Sequence, residues 1–355
     1  RALFSCSAAR RLRQDPGMTS RPPCLRRGAA VLAALLPLLA PRTAGAGDGA
    51  LFVVTDPERD DHGDGHLTYP VRSRNDMLPG HLDLVSFAAR REGDGTMFEV
   101  TFARPVVRTE KVPLDGGGTL MTDVMRLGFY TFNVDVYIDV DRVPGSGNTE
   151  TLPGRNAEVD PSGAWEKAIC LTPLPGPAET LLRRSLTQRV RKENAGGPAR
   201  PRDSRDAEKA EIRDEVTRML AESVFFPSRV EVHGRRVRFF VPDHFLGGPP
   251  SADWGYVVAV SGADVAGRYD IGKLAGLKRE DGDEPLFIMR AGAGRSSDAF
   301  GGADEDDRKP CPLVDVLVPP GTTQAKVLGN FDPREGRRVR LPAVVPSALG
   351  RGAAK

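Results

Sequence analysis

The run from Phe129 to Asp141, FYTFNVDVYIDVD, alternates with strict period two. Tyr130, Phe132, Val134, Val136, Ile138 and Val140 fall on one side. Asn133, Asp135, Tyr137 and Asp139 fall on the other, with Asp141 following. Successive side chains of a strand point to opposite faces. The run therefore reads as a strand with one face in a core and one polar face toward water. Three carboxylates and a tyrosine on the polar face exceed what solubility needs. That face and its neighbouring loops are the first place to look for a function.

On either side the chain continues in short β-like runs separated by Gly/Pro/Asp loops, consistent with its 39 Gly and 30 Pro. Strands are expected at 51–55, 81–89 and 96–102 before the central run, and the segment 164–171 after it is short and apolar enough to be partly buried. Further strands are expected at 229–233, 236–241, 254–261, 284–289 and 313–318. No βαβ alternation is visible, so an all-β, antiparallel β-sandwich over residues 47–346 is expected. The texture changes between about 178 and 224. There 181–191 has helical character, 193–203 is a Gly/Pro/Arg stretch, and 206–224 places Ile212, Val216, Met219 and Leu220 on one helical stripe. This segment reads as a helical insertion at a sheet edge. Residues 347–355 read as a disordered tail.

The first residues carry a different signal. Met18 is a better start than Arg1, because an export leader follows it. Arg21, Arg26 and Arg27 make a basic region, Ala29 to Ala40 is apolar, and Ala44-Gly45-Ala46 gives a small-x-small cleavage pattern. The apolar run is too short for a transmembrane helix, which needs about 20 residues. Residues 1–46 are thus expected to be an upstream extension and signal peptide, cleaved near Ala46, with a secreted or periplasmic mature chain and no transmembrane segment. Only Cys170 and Cys311 then remain, and an oxidising compartment permits a disulfide between them; two separate thiols are the other reading. A net charge of +2 with interspersed signs argues against nucleic acid as a partner.

The loop DPERDDHGDGHLTYP, Asp56 to Pro70, gathers Asp56, Asp60, Asp61 and Asp64 around Gly63 and Gly65. Hard cations such as calcium take six to eight oxygens, roughly, and clustered carboxylates on a bent loop suit them. The EF-hand pattern fails, because His62 and Val71 occupy ligand positions. An Asx-rich turn whose carboxylates cap their own backbone is the competing reading. Asp135 and Asp139 offer a second set of metal candidates on the acidic strand face.

These features occur in an order that resembles a known family. The loop motif Asp56-Pro57 with Asp60-Asp61, Gly63 and Gly65 leads to Tyr69-Pro70 and Gly80-His81-Leu82-Asp83-Leu84. Asp135 to Asp139, Gly145-Ser146-Gly147, Leu152 to Ala157 and Ala164-Trp165-Glu166 follow. Val241-Pro242, Leu246-Gly247, Trp254-Gly255-Tyr256, Asp315 to Pro320 and Gln324 complete the series. Together they resemble the C-terminal module of glucodextranase, a DOMON-like β-sandwich attached to some bacterial glycoside hydrolases and amylopullulanases. The helical insertion is the main departure.

The resemblance implies a noncatalytic module that binds carbohydrate, such as an α-glucan or envelope polysaccharide, or that docks on the cell envelope or a partner protein. Relatives of the DOMON type also bind haem. Sugar binding needs aromatic platforms and hydroxyl-binding polar groups, for which Trp165, Trp254, Tyr137, Arg155 and Asn156 are the candidates. Burial in the core and loop architecture are the competing roles for these residues. A haem ligand would come from His62, His66, His81, His233, His244 or a methionine, but no spacing singles one out, and CxxCH is absent. GxSxG, HExxH, the P-loop and GxGxxG are also absent from the sequence, and exposed aspartates on a loop lack the cleft that glycoside hydrolysis needs. The expectation is a binding module and not an enzyme.

Overall fold

The alternating runs pair into two five-stranded sheets in the computed structural model. It describes residues 49–71, 77–107, 126–194, 205–264, 286–294, 299–305, 310–332 and 334–349, all within the unit Ala46–Lys355. The leader expected over 1–46 lies outside them, as do 350–355 and most of the Gly/Pro/Arg stretch.

In chain order the strands are β1 (Ala50–Thr55), β2 (Leu84–Glu92), β3 (Gly95–Phe102), β4 (Phe132–Asp139), β5 (Ala157–Val159), β6 (Lys167–Leu171) and β7 (Val224–Phe225). There follow β8 (Val230–His233), β9 (Arg236–Pro242), β10 (Gly255–Gly262), β11 (Arg290–Ala291), β12 (Ala299–Phe300), β13 (Leu313–Val316) and β14 (Val339–Leu341). The helices are α1 (Pro175–Asn194), α2 (Arg205–Ser223), α3 (Asp243–Leu246), α4 (Gln324–Leu328) and α5 (Pro346–Leu349). The tail expected to be disordered therefore begins with a helical turn; of the strand expected at 284–289, the described residues 286–289 contribute a bridge between Ala263 and Ile288, and 284–285 lie outside the described residues.

The first sheet has the order β1-β2-β3-β9-β8 and is antiparallel throughout. Its hairpins β2–β3 and β8–β9 turn at Gly93 (φ +59°) and Gly234 (φ +60°). Each is the first central residue of a two-residue loop, where a positive φ matches strand twist and glycine adopts it without strain. The second sheet has the order β13-β10-β4-β6-β7, antiparallel except for the short β6–β7 pairing. Two small parallel pairs, β11 with β12 and β14 with β5, lie beside these sheets.

The apolar face of β4 behaves as its period predicts. Phe132, Val134, Val136 and Ile138 pack in one cluster with Phe87, Phe98, Val100, Val237 and Phe239 of the first sheet. That cluster is the sandwich core. The polar face departs from expectation, because all eight residues of β4 are buried. Tyr137 packs with Ala168, Cys170 and Val257 against Leu182 and Val190 of α1 and Ile212, Val216 and Leu220 of α2. Segments around Leu152, Val159 and Leu341 complete this cover. The helical insertion is thus a third layer over the second sheet, and the stripe read from the sequence is its buried face.

Candidate functional site

Four aspartates converge where the ends of the two sheets meet. β1 ends at Thr55 and delivers Asp56 into the acidic loop, with Asp60 following. Asp83 stands just before β2, and Asp315 lies within β13. Asp56, Asp60 and Asp315 each present an oxygen within 4.8 Å of the others. Asp315 is fully buried, Asp83 is 1% exposed and Asp56 is 7% exposed. One oxygen of each of the four has no hydrogen-bond partner: Asp56 Oδ2, Asp60 Oδ1, Asp83 Oδ1 and Asp315 Oδ1. The other oxygens of three of them are held by backbone: Arg59 N donates to Asp83 (2.8 Å), Leu84 N to Asp315 (2.5 Å) and Val318 N, at 3.4 Å, to Asp56.

The electrostatics follow from this crowding. Burial, then the neighbouring Asp60 and Asp83, pushes the Asp56 carboxyl up to about 8. Burial and the acids Asp61, Asp60 and Glu58 raise Asp83 to about 6, against the hold of the Arg59 amide. Asp315 is raised well above the carboxylate range by burial, Asp56 and Asp60. Asp60 is raised chiefly by burial. Gln324, at the start of α4 and 1% exposed, braces the cluster. Its amide nitrogen donates to the carbonyls of Asp60, Gly63 and Val314, and its oxygen accepts from Val316 N at 2.7 Å.

The other aspartates of the loop are occupied. Asp61 accepts from the Tyr69 hydroxyl and from Gly80 N, and Asp64 accepts from His66 N (2.9 Å) as an Asx turn does. On β4, Asp135 and Asp139 do not share an ion as expected. Four residues of extended chain separate them by about 13 Å, and each has a basic partner. Asp135 forms a forked ion pair with Arg155, Nε to Oδ2 at 2.6 Å and a terminal nitrogen to Oδ1 at 2.8 Å. Both side chains are sealed from water, at 0% and 1% exposure. Asp139 accepts from the Arg142 guanidinium and amide, both at 2.7 Å. A second acidic group, Asp139 with Asp141 and Glu166, is likewise satisfied. Val143 N and the Ser146 hydroxyl donate to Asp141, and Val140 N donates to Glu166.

The residues expected to meet sugar sit elsewhere than that role requires. Trp165 is 4% exposed, packs on Tyr137 at 5.5 Å between centroids and donates from its indole to Glu150 O. Tyr137 is 1% exposed, and its hydroxyl accepts from Leu152 N. Trp254 leans half-buried on the sandwich core. Arg155 is bound to Asp135. Asn156 adopts φ +52° and donates to Pro310 O. The cover over the second sheet is the physical reason: an outward strand position is not an exposed one when another layer lies on it. Cys170 and Cys311 stand as two thiols rather than a disulfide. The Cys170 sulfur lies 3.6 Å from the Arg155 guanidinium, and the Cys311 thiol donates to the Arg155 carbonyl at 3.5 Å.

Sequence reasoning assigned no role to Asp83, Asp315 or Gln324. A signal was present. Asp83 stands between Leu82 and Leu84, and Asp315 interrupts the apolar run Leu313 to Val318. A carboxylate with apolar neighbours on both sides is one that the fold must bury and something must balance.

The outer side of the first sheet is of mixed exposure among the described residues: Ala88, Met97 and Glu99 of its middle strands are buried, whereas Val53 and Arg236 are exposed. Cross-strand rows run Val53, Ala88, Glu99, Arg238, Glu231 and Thr55, Ser86, Thr101, Arg236, His233. Arg238 pairs with Glu99 at 2.6 Å, and Arg229 lies over the Phe240 ring at 5.0 Å. Among the described residues, no helix is long and apolar enough to cross a membrane.

A family model described as the C-terminal binding-module, SLH-like, of glucodextranase matches residues 51–343, well over half of the chain. No curated protein matches the chain.

Proposed function

From the premise that the chain belongs to the family of the glucodextranase C-terminal binding module, we propose that it is an extracellular carbohydrate-binding module for an α-glucan or envelope polysaccharide. A module of this family is a binding unit and not itself catalytic. The observation that supports the location is a contrast between the sheets among the described residues: α1, α2 and the loops cover the second, while the flanking strands β1 and β9 of the first keep positions open to solvent. β1 and β9 alternate between buried and solvent-facing positions along their length. Arg236, Arg238, Glu231, Ser86 and Thr101 are the exposed or half-buried groups on that side, and such groups hydrogen-bond sugar hydroxyls in both donor and acceptor roles.

Affinity electrophoresis in gels containing soluble polysaccharides tests this. Retardation in at least one gel, lost in Arg236→Ala/Arg238→Ala, is the expected result. Normal mobility in a full panel of α-glucans and cell-wall polysaccharides sinks the sugar reading. The second reading is a docking module for the envelope. It is favoured by the burial of Tyr137 and Trp165, the aromatics that a deep sugar site would need. Sedimentation with isolated cell walls, unaffected by competing soluble glucans, would select it.

A further inference from the structure

Two acidic groups in this fold look alike in composition and differ in one respect. In the group Asp139, Asp141 and Glu166, every carboxylate is matched by amides, a hydroxyl or a guanidinium. In the group Asp56, Asp60 and Asp315, backed by Asp83, an oxygen of each remains without a donor. Among the described residues no ion pair reaches any of these four, the pairs of the loop ending at His62 with Asp61. Leaving a polar atom buried and unmatched costs about 1–3 kcal/mol, and more when it is charged. Four such atoms in one place mark a missing positive charge rather than four independent defects.

We propose that Asp56, Asp60 and Asp315 bind one calcium ion that joins the first loop of the domain to its last long strand. Three oxygens that all lie within 4.8 Å of one another fall inside the span that one ion with ligand distances of about 2.4 Å, the calcium range, can bridge. Magnesium demands a near-ideal octahedron, dehydrates reluctantly and keeps several waters, which suits a buried set of protein carboxylates less well than calcium does. The three ligands are hard oxygens with no sulfur or imidazole among them, which disfavours zinc and copper. Asp83 stands behind them, its outer oxygen fixed by Arg59 N, and adds charge. Gln324 holds the Asp60, Gly63 and Val314 carbonyls in register, so the loop keeps its curvature around the ion. Asp315 at 0% exposure lies beyond the reach of any substrate, whereas Asp60 is half-buried and provides the way in. The site is thus structural. It also differs from the loop-only set that the sequence suggested, because Asp61 and Asp64 are spent on Tyr69, Gly80 and His66.

The rival arrangement is a protonated acid cluster without a metal, in which Asp56 and Asp315 share hydrogens. Both are tested on the full chain after EGTA treatment and removal of chelator. Thermal melts are taken with buffer, magnesium or calcium, and bound metal is counted by equilibrium dialysis with elemental analysis. One calcium per chain and a melting temperature raised by calcium well beyond any effect of magnesium are expected. Asp315→Asn should lose the calcium response while folding at least as well as the chelated parent, because it removes a buried charge and keeps the shape. Should that variant fail to fold, Asp60→Asn at the half-buried edge serves the same purpose. Calcium-independent melts with no bound metal, together with an Asp315→Asn variant stabilised equally in all buffers, overturn the proposal in favour of the protonated cluster. An equal response to magnesium and calcium overturns the choice of ion.

Discussion

Arg155 heads the fully buried side chains of the described residues by volume, and its charge is matched by a single carboxylate, Asp135. The forked geometry and the Pro153 carbonyl (2.9 Å) satisfy most of the guanidinium. Removing one partner strands the other charge in an apolar layer. Arg155→Met or Asp135→Asn should therefore cost about 3–5 kcal/mol in urea unfolding. The double variant Asp135→Leu/Arg155→Met should recover much of that loss, since it removes both charges at once. The neighbouring thiols make a second prediction. Burial pushes the Cys170 thiol well above its ordinary range, whereas Cys311 is half-buried. Iodoacetamide should label Cys311 in the native protein and Cys170 only after denaturation, read by peptide mass spectrometry without reductant. None of this pairing was legible in the sequence. Alternation says which side of a strand Asp135 occupies, not that an arginine from the loop 20 residues on turns back onto it.

At the scale of elements, the stripe of Ile212, Val216 and Leu220 was readable because it depends only on local period. Where that stripe docks was not, because period carries no information about which sheet face receives it. The consequence was the misplacement of the polar face of β4 in water. Leu182 of α1, 2% exposed within the same layer, gives the test. Leu182→Ala should cost about 2–5 kcal/mol in denaturant unfolding if α1 is part of the folded core, and under about 0.5 kcal/mol if the insertion merely rests on the surface. Another element-level constraint is the segment after β12. Gly302 has φ +95°, and a Cβ there would collide with the backbone carbonyl of His66 in the acidic loop. Thr68 bridges Gly301 beside it. Gly302→Ala should therefore destabilise the fold more than Gly145→Ala, where the φ is also positive (+80°) but the added methyl meets nothing within 4 Å. Paired thermal melts read the difference, and equal losses would mean that strain in φ alone decides.

Across the whole molecule, the antiparallel sandwich derives from many short alternating runs, and the main strands of both sheets were visible as such, whereas the order in which they pair was not. The acidic site was visible only in part. Asp56 and Asp60 announce themselves in one loop, but Asp315 belongs to the site only because β13 pairs with β10 and reaches the level of Leu84. The hydrogen bonds that close the cluster span 231 and 264 residues of chain. Contacts so distant in sequence form after local hairpins such as β2–β3 have settled, because loop-closure entropy opposes them first. An ion held there enters the folding reaction late, past the barrier. Calcium should then leave the refolding rate of the chain nearly unchanged and slow its unfolding, which stopped-flow dilution into and out of urea measures directly. A module stabilised in that way owes its persistence to the slowness of coming apart, so its lifetime would be set by the calcium around it rather than by how readily it first folds.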